Sequence, residues 1–184
     1  MDNIPPVTLV IGGCRSGKSR FALNAANAVP GRRRLFLATS VPMDPEMNKR
    51  VKAHQAERGC DWETVEEPVN IHENLLAHAD SADVILVDCL TLWISNMMAA
   101  DMGDPEIENR MNQTAQSFSR VQCPVFLVSN EVGYGIVPEN ALARRFRDLA
   151  GQVNQFMADT ADRVVLTVAG QALQIKPGGN QISP

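Results

Sequence analysis

Residues 7–27 read Val7-Thr8-Leu9-Val10-Ile11-Gly12-Gly13-Cys14-Arg15-Ser16-Gly17-Lys18-Ser19-Arg20-Phe21-Ala22-Leu23-Asn24-Ala25-Ala26-Asn27, and they decide the fold class. Val7–Ile11 is apolar and β-branched, as a buried strand is. Gly12–Ser19 fits G-x-x-x-x-G-K-[ST], the phosphate-binding loop. Arg20–Asn27 is rich in helix formers. A Gly-rich turn can match such a pattern by accident, but here strand, turn and helix stand in the order the motif needs. Gly12, Gly13 and Gly17 let the backbone turn tightly, and with Cys14, Arg15 and Ser16 they bring N–H groups against phosphate oxygens. The helix points its positive end at the same anion. Lys18 then reaches the β and γ phosphates, and the Ser19 hydroxyl ligates Mg²⁺.

Working outward, the chain is long enough, at 184 residues, for one domain with a substantial core. We expect a single nucleotide-binding domain over 1–184, structured over 7–176, with a tail over 177–184. Lys and Arg number 17 against 21 Asp and Glu, a formal net charge of −4, so nothing suggests nucleic acid as a bulk partner. The one basic cluster, Arg32-Arg33-Arg34, reads as a solvated turn. Cys14, Cys60, Cys89 and Cys123 form no C-x-x-C pair, which argues against a zinc site or a disulfide framework and fits a reducing cytosol. Met1–Pro6 lacks the basic start and apolar core of a signal peptide, and no apolar run approaches the ~20 residues of a membrane span. The expectation is a cytoplasmic protein.

Further along, Leu35–Ala38 reads as a second buried strand ending in Thr39-Ser40. Ligands of open α/β sheets sit beyond the carboxyl ends of strands, so Thr39 and Ser40 are candidate nucleotide contacts as well as a plain strand exit. Pro45–Arg58 reads as a helix, capped by Asp44 and stopped at Gly59. Met47, Val51 and His54 share its inward face, and spacing alone makes His54 a structural histidine. Trp62–Pro68 is a short extended segment and Asn70–Ala79 a short helix. Val84-Ile85-Leu86-Val87-Asp88 is the expected Walker B strand, whose Asp88 holds Mg²⁺. Leu90–Met102 continues as an apolar helix, and Glu106–Arg120 as a polar, surface-exposed one. Val125–Ser129 is another buried strand, followed by the two-glycine loop Asn130–Pro138. In Glu139–Ala161 the residues Leu142, Phe146, Leu149, Val153 and Phe156 form one apolar stripe, leaving Arg144, Arg145 and Arg147 to face solvent, a partner subunit or an anionic substrate. Arg163–Val168 and Gln171–Ile175 would pair as a hairpin around Gly170. The class is α/β, with about four apolar strands in a mostly parallel sheet and a C-terminal antiparallel hairpin.

The loop alone licenses a nucleoside triphosphate with Mg²⁺, and three enzyme readings compete. A signalling GTPase needs N-K-x-D, which is absent, and the one D-x-x-G, at Asp148–Gly151, falls inside a helix. A small-molecule kinase needs only the loop and Asp88. A nucleotidyltransferase working through a covalent nucleotidyl-enzyme needs a further nucleophile, for which His54 is the best candidate. A nucleotide-binding regulatory protein is the non-enzymatic alternative.

The stretches Gly12–Arg20, Ala38-Thr39-Ser40, Asp44–Arg58 with Trp62, Asn130–Gly133 through Pro138–Asn140, and Arg147–Gln155 resemble the bifunctional adenosylcobinamide kinase/adenosylcobinamide-phosphate guanylyltransferase family. The resemblance runs from about Thr8 to Lys176. It implies a RecA-like P-loop NTPase fold and two activities: phosphorylation of adenosylcobinamide by a nucleoside triphosphate, ATP or GTP, and transfer of GMP from GTP to the resulting phosphate in cobalamin assembly. It also implies a homo-oligomer acting on a corrinoid, and a histidine on the helix after the second strand that carries the GMP. On that ground His54 becomes the nucleophile and Glu66, after the histidine helix, a partner for guanine or ribose. Some family members have two adjacent histidines here, the first assigned the GMP; in this chain those positions are Ala53 and His54.

Overall fold

A computed structural model describes residues 7–40 and 61–177. Its strands are β1 (Val7–Gly12), β2 (Arg34–Ala38), β3 (Trp62–Glu66), β4 (Val84–Asp88), β5 (Val125–Asn130), β6 (Arg163–Val168) and β7 (Gln171–Lys176). The described helices are α1 (Lys18–Asn27), α2 (Ile71–Ala77), α3 (Leu90–Ala99), α4 (Asp104–Phe118) and α5 (Ala141–Thr160). The strands form one seven-stranded sheet in the order β3-β2-β4-β5-β1-β6-β7. Every neighbouring pair is parallel except β6 with β7.

That sheet is larger than the sequence pattern suggests. The Trp62 segment, whose strand carries three charged or hydroxyl side chains at exposed positions, becomes the parallel edge strand β3. β6 is not a purely antiparallel addition, because it pairs in parallel with β1, and only β7 runs the other way. The hairpin turns through Ala169 and Gly170, both at positive φ (51° and 78°), as a two-residue primed turn requires.

Alternation along the strands sorts two cores. Leu9, Leu35, Leu37, Ile85, Val87 and Leu127 face one side, where α2 to α5 cover them with Leu75, Trp93, Ile94, Met97, Ile107 and Val153. Val10, Phe36, Ala38, Leu86, Phe126 and Val128 face the other, against Ala22 and Ala26 of α1. The central strands are apolar on both faces because helices lie on both sides of a parallel sheet.

Two helices depart from their expected registers. α4 starts earlier, at Asp104 with Pro105 in its first turn, and it buries Ile107, Met111 and Phe118 against the sheet-covering helices instead of lying free on the surface. In α5 the buried face is Leu149, Ala150, Val153, Asn154 and Met157, while Leu142 at the helix start is exposed. The regular 4-3 stripe misses this because it assumes that the first turn of α5 is buried, and that turn is exposed. Arg145 pairs with Asp104 at 2.7 Å and Arg147 donates to the Gly133 carbonyl at 2.8 Å, so neither is a free solvent charge. At the amino edge of the sheet Arg33 pairs with Asp83 at 2.6 Å and holds its carboxyl well below the usual range.

Trp93 is fully buried, and its Nε1 donates to the Val69 carbonyl at 2.6 Å. Trp93→Ala should lower unfolding stability by about 3–5 kcal/mol, read from the urea midpoint with an unchanged slope.

Candidate nucleotide-binding site

β1 ends at Gly12, in a row with the last residue of β5 and the last but one of β6: Gly12 pairs with Asn130 and with Thr167. The phosphate loop leaves from this row at the carboxyl edge of the parallel strands, where ligands of such sheets bind. A Cβ on Gly12 would lie 2.4 Å from Thr167 Oγ1 and 2.5 Å from Ser16 Oγ, so only glycine fits. The turn is made with left-handed backbone at Arg15 (φ 56°) and at Gly17 (φ 98°), the N-cap residue of α1. The Ser16 N–H donates back to the Gly13 carbonyl at 3.2 Å, closing the loop on itself.

Within that loop Cys14 and Arg15 are exposed, Ser16 is buried, and Ser19 is half-buried at the second position of α1. Lys18 is largely buried, and its Nζ donates to the Gly13 carbonyl at 3.1 Å. The ammonium is therefore turned back onto the backbone of the loop itself.

The sheet register places the remaining candidates. One row reads Glu66, Ala38, Asp88, Val128, Val10 across β3, β2, β4, β5 and β1. Register partners on parallel strands share a face, and this face carries α1. Asp88, half-exposed at the end of β4, is thus on the side from which α1 presents Ser19. Glu66 is exposed on the same face, two strand spacings, about 10 Å, from Asp88.

Thr39 serves a different purpose from a ligand contact. It is fully buried; its hydroxyl donates to the Cys89 carbonyl at 2.7 Å and accepts from the Cys89 N–H at 2.8 Å. Its own N–H donates to the Asp88 carbonyl at 3.2 Å, and Asn96 Nδ2 donates to the Thr39 carbonyl at 2.7 Å. Thr39 therefore stitches the end of β2 to the turn that carries Asp88. Ser40, half-buried, is the last described residue before 41–60. His54 lies outside the described residues.

β5 contributes a polar end of its own. Glu131 N–H donates to the Gly12 carbonyl at 3.0 Å, and Asn130 N–H to Thr91 Oγ1 at 2.7 Å. Asn154, buried in α5, donates to the Asn130 carbonyl at 3.1 Å, while Gly133 N–H donates to Glu131 Oε1 at 2.8 Å. Thr91, Asn96, Asn154 and Thr167 are missing from the sequence reading. Each is a polar residue on the inward side of its element, and that was the available signal.

Hydroxyl and carboxylate oxygens are the donor type that a magnesium ion takes. Ser19 and Asp88 offer hard oxygen ligands on one face, and among the described residues no group of three or more His, Cys, Asp and Glu could hold a metal by itself. Mg²⁺ takes few protein ligands, leaving its other positions to phosphate oxygens and water.

The sequence pattern described as cobinamide kinase / cobinamide phosphate guanyltransferase matches residues 8–175. The chain belongs to that family. It is 38% identical over 169 residues to CobP of Pseudomonas aeruginosa, covering 91% of this chain and 96% of that protein. It is 42% identical over 182 residues to CobU of Salmonella typhimurium, covering 91% and 98%. Both are named as bifunctional adenosylcobalamin biosynthesis proteins. Among solved structures it resembles the flagellar accessory protein FlaH of Methanocaldococcus jannaschii (TM-score 0.52, 14% identity, covering 95% of this chain and 80% of that one). It also resembles a KaiC-like protein of Pyrococcus horikoshii (TM-score 0.50, 13% identity, covering 88% and 70%). At such identities the likeness is one of fold, the RecA-like P-loop architecture.

Burial pushes the thiols of Cys89 and Cys123 up to about 11, whereas Cys14 stands exposed on the loop. Among these three, iodoacetamide at pH 8 should modify Cys14 first. Saturating Mg²⁺-GTP should slow that modification at least about tenfold if the loop closes around phosphate, as peptide mass mapping would read.

Proposed function

We propose that the chain phosphorylates adenosylcobinamide with a nucleoside triphosphate, then transfers GMP from GTP onto the adenosylcobinamide phosphate, giving adenosylcobinamide-GDP and pyrophosphate. The observation that carries this reading is the family match over residues 8–175, which takes in the phosphate loop, Asp88 and the run from Asn130 to Gln155. The geometry supports it: a preformed phosphate loop with Lys18 folded over it, and Ser19 and Asp88 on one face of the sheet.

In the kinase step the loop amides and Lys18 hold the β and γ phosphates while the acceptor hydroxyl attacks the γ-phosphorus. In the transfer step a neutral imidazole nitrogen of His54 attacks the α-phosphorus. The N–P bond forms as the P–O bond to pyrophosphate breaks. A phosphate oxygen of adenosylcobinamide phosphate then attacks the guanylyl-histidine and releases the imidazole. Mg²⁺, held by Ser19 and Asp88, would neutralise charge on the phosphates. Glu66 would accept hydrogen bonds from the nucleoside, and a carboxylate that takes the N–H donors of guanine would favour GTP over ATP.

The acceptor is a corrinoid, and the reaction suits the cytoplasm, where nucleoside triphosphates are made. The exposed side chains of Tyr134, Ile136, Val137 and Leu142, close together in sequence, support assembly into a homo-oligomer, since exposed apolar surface favours a partner. One residue favours a second reading. Ala53 stands where some relatives carry the guanylylated histidine, which would leave a kinase with little transferase activity.

Intact-protein mass after incubation with GTP and Mg²⁺ decides between the two, because only the transferase gains one GMP. His54→Asn should abolish that gain and spare more than half of the kinase rate. A guanylylated His54→Asn protein would overturn the assignment.

A further inference from the structure

The turn between β6 and β7 lies against the phosphate loop, and no motif predicts it. Gly170 N–H donates to the Ser16 carbonyl at 2.9 Å. Ser16 Oγ and Thr167 Oγ1 share a buried hydrogen bond of 2.8 Å, and Thr167 Oγ1 also donates to the Ile11 carbonyl at 3.3 Å. Gly170 Cα would be 3.3 Å from a Cβ on Gly17. The hairpin thus grips the loop at its side chain, at its carbonyl and at its last glycine, all at the point where the chain enters α1.

These contacts act on the groups that bind phosphate. A peptide whose carbonyl is held by Gly170 has its N–H, that of Gly17, turned the opposite way, into the concave side of the loop. The Thr167 hydroxyl fixes the Ser16 side chain and, through the Gly12 clearance, the entry of the loop as well. Thr167 is 2% exposed and Ser16 7%, so water competes little for either hydroxyl. A loop already in its binding shape need not lose conformational entropy when the ligand arrives.

We propose that the β6–β7 hairpin is the positioning device of the phosphate loop, with Thr167 acting through Ser16 and the Gly170 amide acting through the Ser16 carbonyl. Its role is to hold the loop amides in the anion-binding arrangement before the triphosphate binds. The inference rests on the reading that this loop binds a nucleoside triphosphate.

The test measures the dissociation constant of Mg²⁺-GTP by calorimetry for the full chain and for Thr167→Val, Thr167→Ser, Ser16→Ala and the Ser16→Ala/Thr167→Val double variant. Thr167→Val, which keeps the shape and removes the hydroxyl, should weaken binding about tenfold, the scale of one buried hydrogen bond. Thr167→Ser should restore affinity to within about threefold. The double variant should bind no more weakly than the weaker single variant, because the two residues act as one unit. Wild-type affinity in Thr167→Val, equal losses in the Val and Ser variants, or losses that multiply in the double variant would each overturn the proposal. Should Thr167→Val not fold, exchange of the Gly170 amide in the wild-type protein answers the same question. Saturating Mg²⁺-GTP should slow that exchange at least about tenfold, and an unchanged rate overturns the proposal. A wild-type chain that bound no Mg²⁺-GTP would sink the nucleotide reading itself, whereas normal wild-type binding with an unaffected Thr167→Val sinks only the hairpin's role.

Discussion

The site depends on parallel pairing of β1 between β5 and β6, which brings Asn130, Gly12 and Thr167 into one row at the carboxyl edge of the sheet. Parallel strands all point the same way, so their carboxyl ends gather on one edge and their exit loops compete for the same space. Gly12 resolves that competition by having no side chain where Ser16 and Thr167 meet. The phosphate loop can then fold back over the sheet edge, and α1 can start close enough to aim its amino end at the loop. Moving β1 by one residue would swap the faces of Leu9 and Val10, which belong to separate cores, so the register that makes the site is also the one that makes the core.

The same constraint explains what could be read in advance. The strand–loop–helix unit at 7–27 is local: its glycines, its lysine and its apolar run are contiguous, so the motif is recognised without knowledge of the distant residues packed against it. The strand Val84–Asp88 was legible for the same reason, being four buried apolar residues that end in an acid. What was hidden is non-local. The hydroxyl of Thr39 looks like a ligand contact from its place at a strand end, but its partner is the backbone of Cys89, fifty residues away. Thr167 reads as one more strand residue until its 151-residue separation from Ser16 closes to a hydrogen bond. Strand order has the same character, since nothing in Trp62–Glu66 says that it pairs with β2 and leaves β4 to the other side of β2.

α5 shows the limit of periodicity. Its stripe assumes that the whole helix lies on the core, but the first turn does not. Leu142 is exposed, and the buried residues of the second half widen to include Ala150, Asn154 and Met157. The polar member of that set, Asn154, donates to the Asn130 carbonyl at the end of β5. The helix face is therefore set partly by a backbone carbonyl left over at the sheet edge, and an apolar stripe contains no trace of such a demand.

On the proposed reading, one phosphate grip serves two reactions that break different bonds. In phosphoryl transfer the bond between the γ-phosphorus and its bridging oxygen breaks, and the electrons stay on the β-phosphate. In guanylyl transfer the bond between the α-phosphorus and its bridging oxygen breaks, and the electrons again move onto the β-phosphate, now at the head of pyrophosphate. Donors that surround the β-phosphate, here the loop amides and Lys18, stabilise the leaving group in both cases. The choice of reaction then falls to whichever nucleophile is in line: an acceptor hydroxyl beyond the γ-phosphate, or an imidazole beside the α-phosphate. A protein that already holds the β-phosphate this way needs one further nucleophile, not a second nucleotide-binding fold, to add the second activity. That is why a single phosphate loop in one α/β sheet is enough for a bifunctional family.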